Sequence, residues 1–352
     1  YYNDTVEKYN KLLCEWGGKV YAFVQDGDAA IMYYRKDIMN NPEYRKKFKA
    51  KYGYELPVPP DTWDQLIDVA EFFNGWDWDN DGEIENGISF HPWHEELCII
   101  TFTPLFMSLS NGKLLWDKDM HPQINNEYGL KTLEIMKKLY QYAPKGWLGY
   151  TWAESFRVVI EGGVALALNY GDIGKNLLNP GTFAGSGGPH LKEKFGYALW
   201  PATYHEGEPV RYDPVFFGRV IGIPRFTKHP EAAFAVLKEV SKPERKMLHL
   251  SNTQSGTDIF TKTALDLSKW TINIDPQFIK TYLSALDVGV PDIMIPASEQ
   301  YYRAMGAEIQ KYLGGEQDAK TTLTNIEDNW ELITDQLGRE KQKIAWDSYV
   351  EK

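Results

Sequence analysis

The chain has 352 residues, of which 43% are hydrophobic and 25% are charged, and this is the composition of an ordinary folded protein with room for two domains. Lys and Arg number 38 against 49 Asp and Glu, so the formal net charge of −11 repels a nucleic-acid backbone. The apolar stretches at 97–106 and 158–168 are shorter than the roughly 20 residues of a membrane-spanning helix. These properties disfavour a nucleic-acid partner and offer no candidate for a transmembrane helix.

The first third of the chain predicts helices separated by extended segments. The apolar residues of 1–16 recur at spacings of three and four, which is one face of a helix, and Gly17 and Gly18 end it. Residues 20–34 predict two extended pieces on either side of the turn-forming stretch 25–28, and helical spacing returns at 36–51. After the prolines of 57–60, either Asp61 or Thr62 can cap the next helix.

The rest of the chain alternates strands with helices and then becomes mostly helical. The pattern predicts helices at 130–142 and 156–161 and strands at 164–169, 197–199 and 220–223. Beyond Pro230 it predicts helices at 231–241, 277–286, 298–313 and 319–337. Strands that alternate with helices indicate an α/β fold.

Five segments, taken in order, carry a resemblance to a known family. They are GGKVYAFVQDGDAAIMYYRKDIM at 17–39, PPDTWDQLIDVAEFF at 59–73, FRVVIEGGVALALNYGDIG at 156–174, FGYALWPA at 195–202 and FFGRVIGIPRFTKHPEAAFAVLKEV at 216–240. Together with the helical tail at 295–336 they resemble the sugar-type extracellular solute-binding proteins, the family that includes maltose-binding protein. The resemblance covers nearly the whole chain, although Arg35 stands where the family usually has Asn.

The resemblance implies an α/β fold of two lobes, the type II arrangement of periplasmic binding proteins, with a hinge and a ligand cleft between the lobes. Crossings near residues 27, 218 and 290 would make 1–27 and 218–290 the remnant of lobe one, and 28–217 with 291–352 lobe two. The family's opening strands of lobe one, about 90 residues, and its signal peptide are not in this sequence, so we expect the natural protein to be longer. Cys14 and Cys98 would lie in different lobes, and we predict two free thiols because a bridge would pin the hinge.

The sequence also offers candidates for contact with a ligand. A sugar presents flat C–H faces and hydroxyl groups, so its pocket needs aromatic rings and planar polar side chains, and the 12 Trp, 22 Tyr and 16 Phe exceed what a core requires. Each aromatic candidate could instead pack in the core, and Arg219 could instead be a structural ion-pair partner. Tyr170 and Trp93 lead the predicted set, which is Asp28, Trp93, His94, Tyr170, Asp172, Arg219, Ser255, Gly256, Tyr301 and Tyr302.

One acidic stretch resembles the opening of a calcium-binding loop. Asp77, Asp79, Asp81 and Gly82 form D-x-D-x-D-G, in which alternate carboxylates point at one ion. The twelfth position is Ile88 rather than Glu, so a complete EF-hand is not predicted, although Glu83 or Glu85 could supply an oxygen. Two interpretations of this stretch therefore stay open, a site for a structural calcium ion and a solvated acidic turn. No cofactor is expected to be required.

The resemblance implies a function as well as a fold. It indicates the extracytoplasmic receptor of an ABC importer, a monomer that closes on a mono- or oligosaccharide and delivers it to a membrane permease, and not an enzyme. The expected location is periplasmic or extracellular, with or without a lipid anchor.

Three alternatives remain open at this point. One is the same fold with a polyol, peptide or charged osmolyte as ligand. Another is a structural or adhesion module that binds no small ligand. A third is a carbohydrate hydrolase with two catalytic carboxylates drawn from Glu95, Glu96, Glu154 and Asp172, although no G-x-S-x-G, H-E-x-x-H or P-loop motif is present.

Overall fold

The computed structural model describes residues 1–91, 98–179, 181, 187–191 and 193–350 and shows an α/β fold. Its strands are β1 (Glu15–Trp16), β2 (Lys19–Val20), β3 (Ala22–Arg35), β4 (Asn86–Phe90), β5 (Val164–Tyr170), β6 (Phe195–Ala198), β7 (Thr203–His205), β8 (Glu208–Val210), β9 (Asp213–Gly222) and β10 (Gly289–Pro291). Its helices are α1 (Glu7–Tyr9), α2 (Lys36–Met39), α3 (Pro42–Tyr52), α4 (Trp63–Phe72), α5 (Cys98–Leu109), α6 (Glu127–Gln141), α7 (Trp152–Ile160), α8 (Asp172–Asn176), α9 (Pro230–Val240), α10 (Pro243–Leu250), α11 (Pro276–Asp287), α12 (Ser298–Gly314), α13 (Ala319–Leu337) and α14 (Arg339–Val350).

The long strand β3 organises the main sheet, whose order is β10-β9-β3-β5-β4, with β6 also paired to β3. The first half of β3 pairs antiparallel with β9, and its second half pairs antiparallel with β5 and β6. The prediction of two separate extended pieces in 20–34 is therefore wrong. Register shifts between Val24, Asp26 and Asp28 accommodate the turn-forming residues as bulges, so the strand continues through them.

Each face of this sheet carries its own hydrophobic cluster, because successive side chains of a strand point to opposite faces. Ala30, Met32 and Tyr34 of β3 face a cluster that includes α4, α5, α6, α12 and α13. Ala29, Ile31 and Tyr33 face the other cluster, which includes the first 14 residues, α7, α11 and the segment 247–270. The N-terminal segment and the segment after β9 thus pack together on one side of the sheet.

Several predicted helices form, and their departures from prediction have local causes. Of the two capping candidates, Thr62 accepts a hydrogen bond from the backbone of Gln65 and caps α4. The helix predicted at 36–51 is broken into α2 and α3, with Asn41 capping α3 and Pro42 at its first position. The helix predicted at 1–16 is instead α1, a π-helix at Asn10–Cys14, and β1. Helix α5 escaped prediction because nearly all of its residues are buried, so it has no polar face.

The predicted lobe crossings near residues 27, 218 and 290 fall within β3, β9 and β10, which are neighbours in the sheet. The division into two lobes at those positions stays a prediction. Cys14 and Cys98 are both buried and neither forms a disulfide, in agreement with the prediction of two thiols that do not bridge. Within the described ranges, no helix has the length and apolar character needed to cross a membrane.

Gly171, between β5 and α8, allows a close approach that a methyl group would prevent. Its φ of −68° suits any residue, so only steric crowding would oppose alanine there. A Cβ would lie 2.2 Å from the ring of Tyr282, whose hydroxyl donates to the carbonyl oxygen of Gly27 and pairs with the hydroxyl of Tyr9. The ring therefore has little freedom to move away.

We predict that Gly171→Ala lowers the free energy of unfolding by about 1–3 kcal/mol, the usual result of overpacking a filled core. Gly149→Ala is the matched control, since its Cβ would meet no atom within 4 Å. Urea denaturation of both variants measures the effect. Equal stability of the two variants would contradict the tight contact with Tyr282.

Candidate functional site

A cavity of about 480 Å³ opens where β3 and β9 meet the carboxyl end of β5. Its volume falls within the range of about 300–1,000 Å³ that small-molecule sites occupy. Residues of the sheet, of α7 and α8, and of the loop after α10 line it. They are Asp28, Trp152, Phe156, Tyr170, Asp172, Arg219, Gln254 and Gly256.

Five of the ten predicted ligand residues meet at this cavity, namely Asp28, Tyr170, Asp172, Arg219 and Gly256. Three lining residues were missed: Trp152, Phe156 and Gln254. A signal for Trp152 was present in the sequence, because Thr151 and Glu154 form a capping box that starts α7 at Trp152. A large aromatic side chain at the first position of a capped helix is a candidate for the surface.

Backbone pairing brings the polar residues of the cavity together. The bulged part of β3 sets Asp26 opposite Arg219 of β9 and Asp28 opposite Phe216. Gly218, whose φ is +55°, donates its amide hydrogen to Oδ2 of Asp28 at 3.1 Å. On the other side of β3, pairing of Ala30 with Tyr170 brings the end of β5 level with this bulge.

One wall of the cavity is a row of aromatic rings. The ring of Tyr170 lies 5.8 Å from that of Phe156, which lies 5.8 Å from that of Trp152. Behind them, the buried imidazole of His91 contacts Tyr170 edge-on at 4.3 Å. Trp152 is 48% exposed and forms the rim. Such a row offers apolar faces to the flat C–H faces of a ring-shaped solute.

The opposite wall is polar and is held by an ion pair. Nε of Arg219 donates to Oδ2 of Asp26 at 2.7 Å, and its guanidinium also donates to the carbonyl oxygen of Gly256. The backbone amide of Asp258 donates to Oδ1 of Asp26 at 2.7 Å. Arg219 is thus an ion-pair partner, as one alternative held, and it also lines the cavity, with its side chain 63% exposed.

Burial perturbs the acid–base behaviour of the cluster around the cavity. Burial raises the pKa of Asp172 to about 7, and burial together with the charge of Asp28 raises that of Asp26 to about 8. The pKa of Asp258 rises well above its usual range, through burial and then through the charges of the other three carboxyls. Burial lowers the pKa of Lys175, whose Nζ donates to the carbonyl oxygens of Thr257 at 2.9 Å and Leu250 at 3.4 Å.

Tyr301 and Tyr302 do not reach this cavity, and their assignment to the ligand site is corrected. Tyr301 is 0% exposed, packs against Trp116 and Trp330, and shares a hydrogen bond with Thr334. Tyr302 is 2% exposed and donates to the carbonyl oxygen of Ile293 at 2.7 Å. Both lie on the face of α12 that packs into the core, so their aromatic character serves packing.

The remaining predicted residues have different outcomes. The hydroxyl of Ser255 pairs with that of Thr257 and is not among the groups that line the cavity, although both its neighbours are. Trp93 and His94 lie outside the described residues, as do Glu95 and Glu96. Of the other hydrolase candidates, Glu154 accepts a hydrogen bond from the backbone of Thr151 at 2.8 Å as a helix cap, and only Asp172 lines the cavity.

The acidic turn gathers four carboxylates: one oxygen from each of Asp77, Asp79, Asp81 and Glu85 lies within 4.8 Å of the others. Glu85, rather than Glu83, completes the group, and it is 3% exposed. Hard oxygen donors in this number suit calcium. Some of the oxygens also accept hydrogen bonds. The carboxylate of Asp77 accepts one from the backbone amide of Asn80 and one from that of Gly82.

Comparison with known proteins identifies the relatives of the chain. Residues 1–278 match the family model described as bacterial extracellular solute-binding protein. Three similar solved structures each share 18% sequence identity with this chain. Maltose-bound MalE3 of T. maritima has a TM-score of 0.69, with 94% of this chain and 77% of that chain covered, and a D-mannitol-bound ABC transporter solute-binding protein of Agrobacterium vitis has a TM-score of 0.68, with 96% and 78% covered. An alpha-D-tagatose-bound ABC transporter solute-binding protein of Thermotoga lettingae has a TM-score of 0.70, with 94% of this chain and 76% of that chain covered.

These structural likenesses confirm the predicted fold class, which is the α/β fold of two-lobed solute-binding proteins. The family match covers more than half of the chain and agrees with the resemblance carried by the five sequence segments. The chain belongs to the family of bacterial extracellular solute-binding proteins.

Proposed function

We propose that this chain is the receptor of an ABC importer and that it binds a carbohydrate or polyol in the cavity between the aromatic row and the Asp28–Arg219 wall. The observation that carries the proposal is the placement of the row Tyr170, Phe156 and Trp152 opposite charged hydrogen-bonding groups in one cavity. Three similar solved structures hold maltose, D-mannitol and alpha-D-tagatose, which supports the same class of solute here.

Each wall meets a different part of a sugar. The C–H faces of a sugar ring pack on aromatic rings, and its hydroxyls both donate and accept hydrogen bonds. Carboxylate oxygens of Asp28 and Asp172 accept from hydroxyls, whereas the guanidinium of Arg219 and the amide of Gln254 donate to them. Bonds with a charged partner are stronger than neutral ones, so a few of them fix the orientation of the solute.

The lining residues come from both predicted lobes, which suggests how binding changes the protein. Asp28, Trp152, Phe156, Tyr170 and Asp172 lie in the segment 28–217, and Arg219, Gln254 and Gly256 lie in the segment 218–290. A solute that contacts both walls binds the closed arrangement more tightly than the open one and shifts the population towards it. We propose that the closed monomer docks on a membrane permease outside the cytoplasm and that opening there releases the solute.

Binding without turnover is part of the proposal. Glu154, a hydrolase candidate, is engaged as a helix cap, and the known relatives are named as binding proteins. A peptide ligand has no specific observation in its favour in the described part of the chain.

We predict that a thermal-shift screen of mono- and oligosaccharides and polyols finds a solute that raises the melting temperature and is recovered unchanged, because a ligand of the native state stabilises it. For that solute, Trp152→Ala should weaken binding by about ten- to a hundredfold, as loss of an aromatic anchor does. Titration calorimetry measures the affinity. The melting temperature of the unliganded variant should stay nearly constant, because Trp152 is about half exposed.

Two controls separate binding from folding. Phe226 is 89% exposed and is not among the lining residues, so Phe226→Ala should change neither affinity nor stability. Tyr302→Phe removes a hydrogen bond in the core and should lower stability but leave affinity unchanged. If Trp152→Ala binds the solute with unaltered affinity, Trp152 does not contact the solute. If the protein hydrolyses the solute, it is an enzyme and the receptor proposal is wrong.

We also propose that the turn of Asp77, Asp79, Asp81 and Glu85 holds a structural calcium ion. Four carboxylates within reach of one ion favour it. The turn lies between α4 and β4, and the cation it would bind offsets repulsion among those carboxylates. The ion is not required for contact with the solute, since none of these residues lines the cavity.

We predict that calcium raises the melting temperature of the metal-free protein by several degrees, because it binds the native state alone, and that Asp77→Asn combined with Asp81→Asn abolishes the rise. Asp328→Asn, an exposed position on α13, is the control and should keep it. If magnesium raises the melting temperature as much as calcium does, or if calcium still raises that of the double variant, the turn is only a solvated acidic loop.

A further inference from the structure

Asp26 is a charged residue next to the cavity that does not itself line it. It lies in the bulged part of β3, is 1% exposed, and is not among the lining residues. The register of the sheet sets it opposite Arg219 of β9, and side chains at opposite positions of an antiparallel pair are close neighbours. A buried carboxylate is costly unless it is paired and hydrogen-bonded, so the partners of Asp26 indicate its role.

The two carboxylate oxygens of Asp26 hold two different parts of the polar wall. Oδ2 accepts from Nε of Arg219 at 2.7 Å and also from Nη2. Oδ1 accepts from the backbone amide of Asp258 at 2.7 Å. One buried side chain therefore fixes both the guanidinium and the loop after α10, which contributes Gln254 and Gly256 to the cavity.

These bonds determine which part of the guanidinium is left for a solute. Nη2 of Arg219 also donates to the carbonyl oxygen of Gly256. The guanidinium is planar and its five N–H groups have fixed directions, so Nη1 is the nitrogen that remains without a partner among the described residues. The side chain of Arg219 is 63% exposed and lines the cavity, so this nitrogen is available to a solute.

We propose that Asp26 is a positioning residue, which makes no contact with the solute and holds Arg219 in the orientation that donates to a solute hydroxyl. The inference rests on the proposed function and adds a residue on which affinity depends. Without a fixed partner, the long side chain of Arg219 samples several rotamers. Ordering such a side chain when the solute binds costs free energy and lowers the affinity.

The loop after α10 has a second anchor, so a change at Asp26 acts mainly on Arg219. Nζ of Lys175, a residue that is 2% exposed, donates to the carbonyl oxygens of Thr257 at 2.9 Å and Leu250 at 3.4 Å. These bonds do not involve Asp26. The loop therefore stays attached to α8 when the carboxylate of Asp26 is removed.

The experiment measures affinity by titration calorimetry of the full chain, and the probe is the saccharide or polyol that gives the largest thermal shift in the panel. Burial and the charge of Asp28 raise the pKa of Asp26 to about 8, so the titrations are run at about pH 9, where Asp26 is ionised. Asp26→Leu removes both acceptor oxygens and keeps the branched shape of the side chain. We expect it to bind the probe about tenfold more weakly, the effect of one charged hydrogen bond.

A double-mutant cycle distinguishes positioning from a general loss of structure. In the Arg219→Gln background the guanidinium is absent, so adding Asp26→Leu should change the affinity less than about twofold. If Asp26→Leu does not fold, Asp26→Asn takes its place in the cycle. It keeps one acceptor oxygen but loses the charge, so it should also bind more weakly than the wild type.

Asp4→Leu is the matched control, because Asp4 forms a structural ion pair elsewhere. Its carboxylate lies 3.4 Å from Nζ of Lys246 and accepts from the hydroxyl of Thr263 at 2.7 Å, and it is not among the lining residues. This variant should lower the melting temperature and leave the affinity for the probe unchanged.

The outcomes separate this inference from the proposed function. If the wild type binds the probe and the variant of Asp26 binds it equally well, Asp26 has no positioning role and the receptor stays in place. A loss of affinity that persists in the Arg219→Gln background also overturns the inference, because Asp26 then acts by another route. If the wild type binds no member of the panel, the proposed function fails and this inference fails with it.

Discussion

The pairing of the bulged strand β3 with β9 is the constraint on which the site depends. β3 runs for 14 residues and pairs with β9 through its first half and with β5 and β6 through its second. The bulges between Val24 and Asp28 turn Asp26 towards Arg219 and let Asp28 accept the amide hydrogen of Gly218. Because the same strand also positions the end of β5, a single element brings the acidic pair, the guanidinium and Tyr170 to one cavity.

This arrangement has an electrostatic cost that bears on function. Removing several carboxyls from water raises their pKa values, and the cluster compensates with the ion pair of Asp26 and Arg219 and with hydrogen bonds from backbone amides to Asp26 and Asp28. The compensation is incomplete at Asp172, whose Oδ1 is buried and has no hydrogen-bond partner among the described residues. A buried polar atom without a partner costs free energy. Because Asp172 lines the cavity, this cost falls on the candidate site itself.

Much of the fold could be predicted because its signals are local. Periodicity and capping residues indicate α4, α6 and α13, and a run of short apolar residues indicates β5. The continuity of β3 could not be predicted, because Gln25–Asp28 has the composition of a turn, and it is pairing of this stretch with β9 that keeps it extended. Helix α5 could not be predicted either, since burial on all sides removes the polar face on which the prediction depends.

Residues of the candidate site could be predicted where they lie at the end of a strand. They could not be predicted where packing decides whether an aromatic side chain is buried in the core or lines the cavity. Tyr170 ends β5 and Asp172 follows it, Asp28 and Arg219 lie at the predicted crossings, and all four line one cavity, while their contact with a ligand stays a prediction. Tyr301 is an example of the second case: the sequence alone does not distinguish a buried tyrosine, whose hydroxyl shares a hydrogen bond with Thr334, from a tyrosine that contacts a ligand. The lobe boundaries and the roles of Trp93 and His94 stay predictions.

The central claim is that solute binds at the junction of β3, β9 and the end of β5. The most direct measurement is a crystal structure of the protein with the solute that gives the largest thermal shift. The account predicts density for one solute molecule packed on the row of Tyr170, Phe156 and Trp152, with polar atoms within hydrogen-bonding distance of Asp28, Asp172 or Arg219. Density at another surface, with this cavity occupied only by water, would contradict it.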